Sequence, residues 1–312
     1  MATYTKISKK EVLKIADSYN LVLKEFHSME GGASNSNYLL TTDKGLFMLT
    51  IFEDGGFKGA KRLAKLLTWF KKQQFYTTRI RRASSGKKVM KWRKKPVFLK
   101  KYIPAHIVDQ PGKKQLKKIG KALARFHQIP AAPFLPKIHV YEQPRFSEVI
   151  GTGKDPEYET WLDEKLNAMD GHPKIDAPKG LVHGDLFPDN VLFSDRKNPI
   201  IIDFEEACLH FLVFDLGMSI IGLCSKGSKL NLKKARALLK GYQKIRPLLP
   251  IEKEYLQYFA VYGAVKTSNW RYWKYHIDKP NPKRKNKHRE MMGLAKNIAE
   301  IPGALFLEKV LN

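Results

Sequence analysis

One stretch in the middle of the chain limits its possible folds more than any other feature. Three short apolar runs, at residues 181–182, 191–193 and 199–204, are separated by polar loops. Apolar runs of this length, bounded by turn-forming residues, are typical of buried β-strands. Since rigid strands fix the groups that flank them, the stretch predicts a framework that holds a small set of polar side chains in place.

The polar side chains follow a strict order, which is His183, Asp185, Asn190 and finally Asp203 near the end of the third run. This order fits phosphoryl transfer to a hydroxyl, because that chemistry depends mostly on positioning and charge neutralisation. We predict that Asp185 accepts or orients the proton of the attacking hydroxyl, and that His183 is structural. Asn190 and Asp203 would bind magnesium between the phosphates. The protein-kinase catalytic loop has the same aspartate-to-asparagine spacing, followed by a metal-binding aspartate.

Two other interpretations of these residues are weaker. His-Gly-Asp can begin an ordinary turn, and Asp203 can simply end a strand, but the complete ordered set between apolar strands is specific. A hydrolase triad built on His183 and Asp185 is disfavoured, because residues two apart on a loop rarely reach triad geometry. The chain also contains no serine in a Gly-x-Ser-x-Gly context.

The chain changes character near residue 103. Alternating apolar patterns and the hairpin signal Asp43-Lys44-Gly45 predict an antiparallel sheet before that point, whereas helical spacing dominates after it. We expect an α+β protein with an N-terminal lobe, residues 1–103, and a larger, mostly helical lobe, residues 104–312. A cleft near the hinge would hold the ligand. The predicted elements are strands at 21–26, 38–41, 46–52 and 97–103 and helices at 8–19 and 57–74. A further helix has one apolar face and ends before Pro130; the face consists of Leu116, Ile119, Leu123 and Phe126.

The charge balance is unusual, with 57 Lys and Arg against 30 Asp and Glu, a net charge of +27. No acidic residue occurs from Gly55 to Val108. Such an excess indicates either a surface for nucleic acid or another polyanion, or a lysine-rich solvated surface. We prefer the second interpretation, because no zinc-finger spacing, aromatic RNA-binding signature or helix-turn-helix pattern accompanies the charge.

The composition argues against several other classes of protein. No stretch approaches the roughly 18 apolar residues of a membrane span, and the N-terminus lacks the apolar segment of a secretory signal. The two cysteines, Cys208 and Cys224, are too few for a four-thiolate zinc site or a disulfide scaffold, and we expect both to be buried. We therefore expect a cytoplasmic globular protein without a membrane partner.

Eight stretches share their residue order with a known group of enzymes: 183–190, 202–204, 214–217, 4–8, 30–38, 49–53, 121–127 and 241–248. By these stretches the chain resembles the aminoglycoside phosphotransferase and choline kinase superfamily, and within it type II homoserine kinases. The resemblance implies a two-lobed, protein-kinase-like fold with ATP and Mg²⁺ as cofactors. It also implies a nucleotide loop that contains Gly31, Gly32, Ser34, Asn35 and Asn37.

The chain departs from the superfamily pattern at two places, the position of the third-strand lysine and the residues after Asp203. Thr50 stands where typical members have a third-strand lysine, and the helix at 57–74 has no acid to pair with one. Homoserine kinases of this type look similar at Thr50, whereas Glu205 resembles choline kinases. The resemblance therefore implies an amino alcohol or amino acid as acceptor, with homoserine as the first choice and choline, ethanolamine or an aminoglycoside as alternatives. A non-catalytic, basic nucleic-acid-binding protein is the alternative from another class.

Two further features leave alternatives open. Asp215 lies near a predicted helix start, where it can cap the helix or bind the backbone of the loop at 183–185. An aromatic cluster can form a cage for a cationic amine or belong to the core. Its members are Trp270, Tyr272, Trp273 and Tyr275.

Overall fold

A computed structural model describes residues 5–29, 35–169, 175–194 and 198–312. The chain divides into two compact units, Met1–His106 and Ile107–Asn312. The first contains an antiparallel sheet and the second is mostly helical, so the predicted α+β class is confirmed. The roles assigned to the two predicted lobes stay predictions. In the described part of the chain, no helix combines the length and apolar character needed to cross a membrane.

The first unit is built on a five-stranded antiparallel sheet with the strand order β1-β2-β3-β5-β4. Thr42 pairs with Gly45 across the predicted hairpin, and Gly45 has a φ of 101°, which glycine adopts without strain. The short strand β6 lies at the division between the units. The elements are α1 (Lys9–Asp17), β1 (Leu23–Ser28), β2 (Asn35–Thr42), β3 (Gly45–Phe52), α2 (Gly56–Lys72), β4 (Met90–Trp92), β5 (Lys95–Lys101) and β6 (His106–Ile107).

The core of the first unit lies between α1 and one face of this sheet. Val12 and Ile15 of α1 pack with Leu40, Ile51 and Leu99 of the central strands, and all five are buried. Alternation in the strands and helical spacing in α1 thus direct both apolar faces to one interior. Helix α2 also buries its predicted face, which consists of Leu63, Leu66, Leu67 and Phe70.

The second unit contains eight α-helices in its described residues and three short antiparallel pairs of strands, β7 with β10, β8 with β9 and β11 with β12. Its helices are α3 (Lys113–His127), α4 (Pro156–Ala168), α5 (Leu212–Leu223), α6 (Leu232–Gln243), α7 (Pro250–Glu254), α8 (Leu256–Trp273), α9 (Lys287–Ala299) and α10 (Gly303–Leu311). Its strands are β7 (Lys179–Val182), β8 (Val191–Phe193), β9 (Ile200–Ile201), β10 (Cys208–Phe211), β11 (Ser225–Lys226) and β12 (Lys229–Leu230). Short 3₁₀ helices span Val140–Glu142, Pro144–Val149 and Pro188–Asn190, and Lys274–Asp278 forms a π-helix.

Helices α3 and α6 contact each other main chain to main chain. A Cβ atom on Gly120 would lie 2.0 Å from the Leu238 carbonyl oxygen, and one on Gly241 would lie 2.1 Å from the Lys117 carbonyl oxygen. Glycine is required at both positions, because any side chain would push the helices apart. The contact fixes His127, at the C-terminal end of α3, against α6.

The helical face predicted before Pro130 belongs to α3, which begins at Lys113, where the Gln115 side chain accepts a hydrogen bond from Gly112 N at 2.8 Å and caps the first turn. One predicted strand is much shorter than expected. The strand expected at 199–204 is only Ile200–Ile201. Asp203 has a φ of 63°, a left-handed conformation that no regular strand accommodates.

Candidate active site

The loop after β7 is held by its own histidine and glycine. His183 is fully buried, its Nε2 donates to the Ile202 carbonyl at 2.8 Å, and its Nδ1 accepts from Asp185 N at 3.2 Å. Gly184 has a φ of 79°, and a Cβ there would lie 2.4 Å from His139 Nε2. Only glycine therefore fits between His183 and Asp185, and the contacts of His183 are those of a structural residue.

A buried carboxylate anchors the same loop from α5. Asp215 accepts hydrogen bonds from His183 N at 2.7 Å and Gly184 N at 2.8 Å, and its Oδ2 lies 2.9 Å from His127 Nε2. Burial raises the pKa of Asp215, but the hydrogen bond and charge of His127 outweigh burial and bring that pKa below its usual value. His127 Nδ1 in turn lies 2.7 Å from the Tyr242 hydroxyl of α6. Of the two roles considered for Asp215, the structure shows backbone binding.

The Asp185 carboxylate receives one hydrogen bond on each oxygen. Tyr141 Oη donates to Oδ1 at 3.1 Å, and Asn190 Nδ2 donates to Oδ2 at 3.3 Å and to the Asp185 carbonyl at 2.7 Å. Burial, together with the negative charges of Glu206, Asp189 and Asp203, raises the pKa of Asp185 to about 8. The site thus concentrates negative charge, which a cation would offset.

The β8–β9 hairpin brings together the two predicted metal ligands, one before β8 and one after β9. Val191 pairs with Ile201, and one step beyond that pair Ile202 N donates to the Asn190 carbonyl at 3.0 Å. Asp203 follows directly and is exposed. The three predicted residues of the catalytic set therefore lie together, although their roles stay predictions.

The donor set at this loop fits magnesium. The Asn190 amide nitrogen donates to Asp185, so a metal bound there would contact the side-chain oxygen, and Asp203 would offer a carboxylate. Among the described residues no group of three or more His, Cys, Asp or Glu is placed to hold a metal by itself. An incomplete protein shell is what Mg²⁺ uses when substrate phosphates and water complete its octahedron.

Two of the five predicted nucleotide-loop residues can be placed. Asn35 Oδ1 accepts from Glu53 N at 3.2 Å, and Asn37 Oδ1 accepts from Thr50 Oγ1 at 2.8 Å, so both amides support the β2–β3 pairing. Thr50 is buried and directly opposite Asn37 in the sheet. The other three, Gly31, Gly32 and Ser34, lie outside the described residues. Nucleotide binding by all five stays a prediction.

The aromatic cluster on α8 does not form a single cage. Tyr272 is fully buried and donates to Glu159, Trp273 packs edge-on against Phe146 with centroids 5.0 Å apart, and Trp270 packs against Tyr141 at 5.6 Å. Their partners differ, and of the four residues only Tyr272 belongs to the buried core, since Trp270, Trp273 and Tyr275 are partly exposed. Cys208 and Cys224 are buried free thiols, as predicted.

Sequence reasoning missed several residues of the site. Tyr141 lies in an irregular, Pro-rich segment with no periodic signal, and His127 falls on a helix whose partner is about 90 residues away in the chain. Glu206 follows Glu205, and nothing in the sequence distinguishes which of the two affects Asp185. Contacts between distant segments decide these roles, and one sequence does not reveal them.

Comparisons with known proteins support the same chemistry. Residues 25–248 match the phosphotransferase enzyme family. A homoserine kinase from Caulobacter vibrioides is 30% identical over 278 residues, which cover 85% of this chain and 87% of that protein. A solved amicoumacin kinase in complex with AMP-PNP and Ca²⁺ is similar in fold, with a TM-score of 0.73 and 15% identity over 96% of this chain and 97% of that one. The choline kinase of Streptococcus pneumoniae gives a TM-score of 0.66 and 16% identity over 92% of this chain and 99% of that one. These structures confirm the predicted protein-kinase-like fold.

Proposed function

The chain belongs to the phosphotransferase enzyme family, and from this premise we propose that it is a kinase that transfers the γ-phosphate of ATP to a hydroxyl of a small amino-bearing acceptor. Homoserine is the acceptor we propose first, with O-phosphohomoserine as product. The observation that carries the proposal is the Asp185 carboxylate, held by Tyr141 and Asn190 and close to Asp203, which follows β9.

Each residue of the set has a defined task in this reaction. Asp185 accepts the proton of the acceptor hydroxyl as the oxygen–phosphorus bond forms and the bond from the γ-phosphorus to ADP breaks. A raised pKa suits this task, because a general base works best when its pKa lies near the working pH. Asn190 and Asp203 would hold Mg²⁺, which when bound neutralises charge on the triphosphate.

The choice of acceptor rests on relatives and local charge. The homoserine kinase of C. vibrioides covers most of the chain at 30% identity, whereas the similarity to choline kinase is limited to fold. Glu206 is close enough to raise the pKa of Asp185, and Arg271 is close enough to lower that of Tyr141. An acceptor with both an ammonium and a carboxylate group complements this pair of charges.

A phosphorylation screen with ATP and magnesium tests the acceptor. Homoserine, choline, ethanolamine and an aminoglycoside are compared at equal concentrations, with phosphate transfer measured directly. We expect phosphorylation of homoserine. Turnover of choline or ethanolamine alone would reassign the acceptor, and no transfer together with strong RNA binding would favour the non-catalytic alternative.

Substitution of Asp185 tests the catalytic assignment. We expect Asp185→Ala and Asp185→Asn to lower turnover by about 10² to 10⁴, the usual effect of losing a general base, while ATP binding is retained. Asp176→Ala, which removes an exposed carboxylate elsewhere in the same unit, is the control and should remain active. A folded Asp185→Ala protein with near-normal kcat would contradict the assignment.

A further inference from the structure

We propose that Tyr141 is a positioning residue for phosphate transfer, which fixes the Asp185 carboxylate in the orientation that receives the acceptor proton. The proposal rests on the proposed function, in which Asp185 is the base. Nothing in the loop motif itself points to Tyr141, which lies 44 residues before Asp185.

The geometry at Asp185 requires a donor from outside the loop. Asn190 Nδ2 contacts Oδ2 at 3.3 Å, a long hydrogen bond that by itself leaves the carboxylate able to rotate about its side-chain bonds. Tyr141 Oη contacts the other oxygen at 3.1 Å from a different segment of the chain. Two donors from two directions define the plane of the carboxylate, and orientation of a reacting group is a large part of catalysis in phosphoryl transfer.

Tyr141 is itself held rigidly enough to position another group. Its side chain is buried, its ring packs edge-on against His139 with centroids 4.8 Å apart, and Trp270 covers it at 5.6 Å. Its backbone N donates to His139 Nδ1 at 3.3 Å. The hydroxyl therefore has little freedom to move with the carboxylate.

The short 3₁₀ helix that contains Tyr141 is anchored by hydrogen bonds of its next residue, Glu142. Glu142 Oε1 accepts from Tyr262 Oη at 3.0 Å and from His210 Nε2 at 3.1 Å, and Glu142 Oε2 accepts from His139 N at 3.3 Å. These contacts link the 3₁₀ helix to α8 and β10. The segment that carries the Tyr141 hydroxyl is thus held by the core of the second unit.

The hydroxyl of Tyr141 remains a donor across the working pH range. Burial, followed by the negative charges of Asp185 and Glu206, raises its pKa well above the usual value for tyrosine. The group is therefore neutral and protonated, and it does not compete with Asp185 for the acceptor proton.

Removal of this one hydroxyl is the direct test. Tyr141→Phe keeps the ring contacts with His139 and Trp270 and deletes only the hydrogen bond to Asp185. We expect kcat with MgATP and L-homoserine to fall about 10- to 100-fold, as for the loss of a hydrogen bond to a charged group, while KM for ATP changes less than about twofold. The hydrolysis of MgATP in water, without an organic acceptor, is measured in parallel and should fall in the same proportion.

Two comparisons separate positioning from general loosening of the fold. Tyr272→Phe is the matched control, because it also removes a buried hydroxyl that donates to a carboxylate, that of Glu159, without contact to Asp185. It should lower the melting temperature but keep kcat within about twofold. In the Asp185→Ala background, Tyr141→Phe should have no further effect, since a residue that acts through Asp185 has nothing left to position.

Several outcomes would overturn the inference. These are an unchanged kcat in Tyr141→Phe, an equal loss of kcat in Tyr272→Phe, or an additional loss when Tyr141→Phe is added to Asp185→Ala. If Asp185→Ala itself retains activity, the proposed function fails first. If Asp185→Ala is inactive and Tyr141→Phe is not, only the role of Tyr141 fails.

Discussion

Replacing Asp215 with alanine tests how far stability and turnover depend on the carboxylate that anchors the loop before Asp185. The Asp215 carboxylate is fully buried and serves His183 N, Gly184 N and His127 Nε2. Asp215→Ala leaves these groups in the interior without an acceptor. Each buried donor without a partner costs about 1–3 kcal/mol, and breaking a buried ionic contact from one side typically costs about 3–5 kcal/mol in all.

We therefore expect the free energy of unfolding to fall by about 4 kcal/mol, a large part of the roughly 5–15 kcal/mol typical of folded domains. Turnover should fall as well, because the released backbone of His183 and Gly184 leads directly into Asp185. A misplacement of about 1 Å in such a site can reduce rate about 10²-fold. Asp215→Asn keeps one acceptor oxygen, so its loss of stability should be smaller.

The assay is denaturant unfolding followed by tryptophan fluorescence and by kcat on the same samples. The pKa of Asp215 is lower in the folded protein than in the unfolded chain. Its carboxylate therefore stabilises the fold fully at a pH above the unfolded-state pKa, and this contribution is lost as the pH falls through the folded-state pKa. The wild type should therefore lose stability below about pH 4, near the ordinary pKa of aspartate, more steeply than Asp215→Asn. An Asp215→Ala protein with the unfolding midpoint and pH dependence of the wild type would refute the reasoning.

Two further predictions concern the cation and the surface charge. Asp203→Ala and Asn190→Ala should each lower activity, and a higher magnesium concentration should partly restore it. The recovery should be greater for Asn190→Ala, because a neutral amide contributes less to the binding of a hard cation than a carboxylate does. A titration of kcat against magnesium measures this effect, and an unchanged magnesium dependence in both variants would contradict the metal roles. RNA binding should be weak and lost at moderate salt, since it would depend on lysines scattered over the surface without groups that read bases. ATP binding should persist at the same salt concentration. Filter binding of RNA at two salt concentrations, beside an ATP-binding assay, tests both expectations, and selective RNA binding near physiological salt would contradict them.

The proximity of the predicted catalytic residues could be read from the sequence because their arrangement is local. Asp185, Asn190 and Asp203 lie within 19 positions of each other, and the antiparallel register of β8 and β9 follows from the apolar runs on either side. A residue order that matches a known chemistry therefore predicts well that these side chains lie close together. The fold class was predictable for a similar reason, since each lobe has its own periodicity.

What the sequence did not reveal depends on contacts between distant segments. Tyr141 donates to Asp185 across 44 positions, and His127 meets Asp215 across 88. The shortness of β9 depends on the positive φ of Asp203, a conformation that aspartate tolerates better than most residues but that no pattern in the sequence signals. Such features are set by tertiary packing, which overrides local pattern.

The main-chain contact between α3 and α6 has a consequence for how this protein can vary. Because Gly120 and Gly241 bring backbone against backbone, the relative position of the two helices does not depend on the side chains along their outer faces. Those faces carry a strongly basic hollow of about 570 Å³, lined by Lys113, Lys117 and Arg236 among others. Substitution can therefore alter the electrostatic surface of the second unit without moving His127 or Asp215. The charge of this hollow can thus be changed separately from the loop that holds Asp185.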